Sequence, residues 1–204
     1  MSFELIDNLL QVTALGCACI AAGALALRHK SRPLLMLALA YACFSMGTLY
    51  FVLHLATTGD VPKIFYVSEV SWLAAYLSFL SLHILRVEGL RFGMRPLPAA
   101  GAALTAALVL AFRMLGPSLV MSLLFALTLG AIVYLCAFRL RGDPARGQTD
   151  ALMLLCVALQ LLLFIVSDRT ADYTRFNLYF AVDIALTLSL SALLPLTLRE
   201  VAGP

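Results

Sequence analysis

Two carboxylates stand inside segments that are otherwise apolar: Glu69 in FYVSEVSWLAAYLSFLSLHILR (65–86) and Asp183 in LYFAVDIALTLSL (178–190). An ionised carboxylate in hydrocarbon costs at least about 2.5 kcal/mol on insertion scales, so such a residue faces a bundle interior or a hydrated cavity and marks a ligand site or proton pathway. Helical spacing gives each acid neighbours. Trp72, Tyr76 and His83 follow Glu69 at i+3, i+7 and i+14, whereas Arg175, Tyr179, Asp183 and Thr187 succeed one another at i+4, so each set forms one stripe. With Tyr179, Trp72, Tyr76 and Thr187 beside the acids, His54, Gln160 and Asp168 would complete a polar site for a small ligand or a proton. Plainer readings compete at every position: Glu69 and Asp183 as interhelical hydrogen-bond partners, Asp168 as a solvated loop residue, His54 and His83 as interfacial, Trp72 and Tyr76 as packing.

The elements that must hold these residues are membrane helices. Hydrophobic residues make up 63% and charged residues 12% of the 204-residue chain, and the mean hydropathy is +0.99. A soluble protein averages about 45–50% apolar and 25% charged. Seven apolar stretches, at 5–27, 33–57, 64–85, 97–115, 117–138, 151–167 and 176–198, each approach the ~20 residues that cross a ~30 Å hydrocarbon core. They predict an all-α integral membrane protein, one seven-transmembrane bundle over residues 1–204. Glu4 and Asp7 stand at the N-terminal end where a cleaved signal peptide would be basic, so the first helix is expected to remain.

Basic residues crowd the first, third and fifth loops and the C-terminal end (Arg28, Lys30, Arg32; Arg86, Arg91, Arg95; Arg139, Arg141, Arg146; Arg199). Lys63, Arg113, Arg169 and Arg175 are the few on the other side. The positive-inside rule then puts the N-terminus outside and the C-terminus in the cytoplasm, as a multi-pass protein of the cell membrane. The net charge of +3 follows from that topology and calls for no nucleic-acid partner. Membrane lipids and a small molecule or proton are the expected partners; a homo-oligomer or a cytoplasmic signalling partner is compatible with the chain. Pro33 and Pro96 suit helix starts, Gly116-Pro117 and Gly142-Asp143-Pro144 suit breaks, and Pro195 should bend the last helix.

Neither a metal nor a cofactor is expected. Cys17, Cys19, Cys43, Cys136 and Cys156 lie in apolar segments without disulfide or zinc spacing and read as packing residues. Three histidines, His29 and His83 towards the inner surface and His54 towards the outer, cannot converge on a zinc ion that wants three or four ligands within ~2.3 Å. No nucleophile motif accompanies the serines and threonines, so the reading leans away from an enzyme.

LLMLALAYA (34–42) matches ALMLLCVAL (151–159), and IFYVSEV (64–70) matches LYFAVDI (178–184) with Glu69 opposite Asp183. Helices 1–3 and 5–7 would then be parallel repeats joined by the fourth, with a solute site where they meet. In helix count, orientation and repeat pattern the chain resembles the SWEET sugar transporters, which implies a central solute site; it lacks their Pro-Gln signature. SWLAAYLSFLSLHIL and YFAVDIALTLSL are similar to the third and seventh helices of microbial rhodopsins, which implies a seven-helix sensory scaffold. Thr187 stands where that family carries its retinal lysine, and no lysine follows Lys63, which excludes a Schiff-base pigment. The expected function is a small-solute or proton-coupled carrier. The alternative is a receptor or sensor acting through a separate cytoplasmic protein, since the longest polar connection, 139–150, holds no domain.

Overall fold

The computed structural model describes residues 3–59, 66–87, 93–112, 118–142 and 147–202. Among these residues the chain forms seven helices and no strand: α1 (Phe3–His29), α2 (Arg32–Thr58), α3 (Tyr66–Val87), α4 (Pro96–Ala111), α5 (Leu119–Gly142), α6 (Gln148–Ser167) and α7 (Leu178–Ala202). Six of them are long and apolar enough to cross a bilayer, which makes this a multi-pass membrane protein. The exception is α4, whose 16 residues rise about 24 Å. Residues 113–117, where the apolar stretch 97–115 ends and Gly116-Pro117 stands, lie outside the described residues, as do Lys63, Arg91, Arg113, Arg146 and the 143–144 break.

Local chemistry explains the helix ends. Ser31 is extended and its hydroxyl accepts from the Leu34 amide at 3.4 Å, with Pro33 in the first turn, so α2 starts there despite following α1 closely. Gly59 ends α2 in the left-handed region (φ 75°), and its amide donates to Leu55 O. Asn177 caps α7: its Oδ1 accepts from the Tyr179 amide at 2.9 Å and its Nδ2 donates to Asp172 O at 2.7 Å. α7 continues through Pro195 to Ala202.

The helices alternate in direction and pack as a ring, α1–α2–α3–α5–α6–α7, closed by α1 against α7; α2 also touches α7 across the middle, and α4 lies against α5. Small residues permit the closest approaches. A Cβ on Gly130 of α5 would stand 3.1 Å from Ala102 O of α4, and one on Gly47 of α2 would stand 2.9 Å from Trp72 Nε1 of α3. Leu15, Leu37, Tyr41, Phe79, Leu129 and Leu190 are fully buried between the helices, whereas Ile20, Leu27 and Leu119 point outward from an apolar surface. Apolar residues on the outer surface as well as in the interior suit a lipid solvent, whose tails are as apolar as leucine.

Candidate functional site

At the end of the bundle where α1, α3, α5 and α7 begin, the ring encloses a cavity of about 480 Å³. Glu4, Asn8 and Gln11 reach it from α1, Phe44 and Phe51 from α2, and Glu69, Trp72 and Tyr76 from α3. Phe125 comes from α5, Gln160 and Phe164 from α6, and Tyr179 and Asp183 from α7. Every set obeys the three-to-four-residue spacing of one helical face. The rim residues Glu4, Asn8 and Tyr179 are half-buried, and the floor residues Gln11, Tyr76, Gln160 and Asp183 are buried. Tyr173, from the loop joining α6 to α7, covers part of the mouth. That loop is tied to the chain start, because the Phe3 and Glu4 amides donate to Thr174 O and Tyr173 O at 3.2 and 3.3 Å. Within it, Asp172 Oδ1 accepts from the hydroxyl and amide of Thr174 at 2.6 and 2.8 Å, and these bonds hold the Asp172 carboxyl below its usual range.

Glu69, Trp72, Tyr76, Gln160, Tyr179 and Asp183 therefore meet around one space. Thr187 lies one turn behind Asp183, buried, where it accepts from Gln11 Nε2 at 3.2 Å. Two candidates stand apart. His54 is half-buried on α2 with its ring 6.1 Å from Tyr50, and it does not line the cavity. Asp168 is exposed at the C-cap of α6 and does not line it either. Arg175 precedes α7 in the loop and is exposed, so the helical stripe begins with Tyr179.

α1 supplies residues that the apolar pattern does not reveal. Gln11 is the hub of the polar floor: its Nε2 donates to Asp183 Oδ1 at 3.1 Å, and its Oε1 accepts from the Thr48 hydroxyl at 2.5 Å. Asp7, also buried, brings its carboxyl against that of Asp183. Two carboxyl groups in such contact can hold one shared proton. Across the floor, the Tyr76 hydroxyl donates to Gln160 Oε1 at 2.7 Å. The signal is Glu4, Asn8 and Gln11 at i, i+4 and i+7, a polar stripe at the start of the first helix.

The opposite end of the bundle holds a second polar cluster. His83 is fully buried, because α6 starts at Gln148, three residues earlier than the apolar run suggests, and carries Asp150 in its first turn. Arg86 Nη1 donates to Asp150 Oδ1 at 2.9 Å, and its other nitrogens grip Glu200 at 2.6 to 2.9 Å. Arg139 Nε stands 3.3 Å from Asp150 Oδ2, and the Thr149 hydroxyl donates to Glu200 Oε1 at 2.6 Å. Cys136 is more than packing, since its sulfur lies 3.4 Å from His83 Nδ1. His83, Cys136 and Asp150 bring metal-ligating atoms within 4.8 Å of one another, yet the two guanidinium groups already supply positive charge to that carboxylate.

No protein-family model, no curated protein and no solved structure matches the chain, so neither the sugar-transporter nor the rhodopsin resemblance gains support.

Proposed function

We propose that the protein is a small-solute or proton-coupled carrier of the cell membrane, with an outward-facing polar site around Glu69 and Asp183 and with all seven helices crossing the bilayer. The observation that carries this reading is that acids from α3 and α7 line one cavity, big enough for a small molecule and open at one end of the bundle. The contact between Asp7 and Asp183 supports a coupled proton. At the other end, closure by ion pairs among Arg86, Asp150 and Glu200 suits a gate that must part, because polar contacts can be exchanged for water. The two halves, α1–α2–α3 and α5–α6–α7, share packing order and direction, with α4 outside the ring, which supports a parallel repeat. The distribution of Arg and Lys supports the N-terminus outside.

A sensor is the second reading, favoured by the same well-packed, ion-paired end, which would pass occupancy of the cavity to a separate protein. The test is reconstitution into lipid vesicles enclosing a pH-sensitive dye, with amines, amino acids and sugars applied outside. A carrier moves at least one solute or its accompanying protons, and Glu69→Gln and Asp183→Asn abolish that movement in folded protein. Undiminished movement in both variants overturns the assignment, and binding without movement favours the sensor.

A further inference from the structure

We infer that the cavity is built for an organic ammonium ion with an apolar body; this rests on the site reading above and names its substrate class. Charge comes first. Glu4, Glu69 and Asp183 share the wall, and no Lys, Arg or His is among its described residues. An anion would find no cationic side chain there, only neutral donors such as the unpartnered Trp72 Nε1–H.

One of these acids lacks what a buried carboxylate needs. Glu69 is only 6% exposed, and its Oε2 has no hydrogen-bond partner among the described residues. A buried polar atom left unmatched is costly, and a positively charged occupant donating a hydrogen bond or lying against the oxygen removes that cost. The remaining wall is aromatic. Trp72, Phe44, Tyr76 and Phe125 follow one another at ring-centroid distances of 6.5, 6.4 and 5.3 Å. Aromatic faces attract a cation within about 6 Å of the ring centre and also bury apolar groups, so one lining serves both parts of the ligand.

Neutral polyols fit less well. A sugar would leave the carboxylate charge unpaired, and two of the amides are already engaged: Gln11 bonds Asp183, Thr187 and Thr48, and Gln160 Oε1 accepts from Tyr76. A bare metal ion is too small for about 480 Å³ walled largely by rings. The volume lies in the range of about 300–1,000 Å³ that holds drug-sized molecules.

Trp72 is the only tryptophan and lines the cavity, so its emission reports occupancy directly. Purified wild-type protein is titrated with choline, with its uncharged carbon counterpart 3,3-dimethylbutan-1-ol, and with benzyltrimethylammonium. The expected result is a saturable emission change with choline, binding of the alcohol weaker by about tenfold or more, and benzyltrimethylammonium tighter than choline. Glu69→Gln should weaken both ammonium ions by about tenfold or more and leave the alcohol unchanged. Equal binding of choline and the alcohol, or no saturable response to either ammonium ion, overturns the inference, and the wild-type comparison needs no variant to fold. Ammonium binding without uptake into vesicles leaves the ligand class standing and removes the carrier. Sugar or amino-acid uptake without an ammonium response does the reverse.

Discussion

Replacing Asp150 by Asn separates a buried ion-pair network from a surface one. Asp150 is fully buried and faces Arg86 Nη1 at 2.9 Å, His83 Nδ1 at 3.1 Å and Arg139 Nε at 3.3 Å. Breaking a buried pair by removing one partner costs about 3–5 kcal/mol, because the other charge is left uncompensated. Here Arg86 keeps its two-pronged grip on Glu200, so the loss falls mainly on Arg139, whose side chain is 14% exposed and can turn outward. The lower end, about 3 kcal/mol, is therefore expected. Glu200→Gln provides the contrast. Its carboxylate is 25% exposed and Arg86 would retain Asp150, so the expected loss is about 1 kcal/mol. Unfolding both variants in mixed micelles with increasing denaturing detergent, followed by far-ultraviolet circular dichroism, measures the difference. Adding Arg139→Gln to Asp150→Asn should recover part of the loss, since the orphaned charge goes with it. A loss for Asp150→Asn no greater than for Glu200→Gln, or a further loss in the double variant, would refute the reasoning.

Gly47→Ala places a methyl group 2.9 Å from Trp72 Nε1 and 3.1 Å from Ser71 Cβ, so α2 and α3 must separate; a loss of about 1–3 kcal/mol with a shifted Trp72 emission is expected, and an unchanged midpoint and spectrum would contradict it. The Asp172 carboxyl is held low by its bonds to Thr174, so the order it lends the loop is complete above the ordinary carboxylate value of about 3.9 and is lost as pH falls below it. Amide exchange of Thr174 in acid should show that loss of protection, and Asp172→Asn should show no such step; identical pH profiles would count against the assignment.

Much of the fold is visible along the chain because lipid makes its demand locally. Every backbone group in hydrocarbon must bond within its own helix, so long apolar runs bounded by charge have one common solution. The apolar runs end within a few residues of the described helix ends, and the difference that matters most is at α6, where Gln148, Thr149 and Asp150 belong to the helix. Polar residues in a first helical turn look like loop when hydropathy is the guide. Asp7 and Gln11 fall inside the first apolar run, where their neighbours outweigh them in the hydropathy, and Asp150, the partner of His83, stands in what reads as a connection.

The stripe Glu69, Trp72 and Tyr76, and the pair Tyr179 and Asp183, were determined by sequence alone, since the 3.6-residue turn decides which side chains share a face. Which faces meet is another matter. That Gln11 bridges Asp183 and Thr48, that Tyr76 reaches Gln160, and that His54 and Asp168 stand away from the cavity depend on how whole helices are rotated and paired. Those choices come from the sum of many weak interhelical contacts, with Gly47 and Gly130 permitting close approach, and no single stretch of sequence contains that sum.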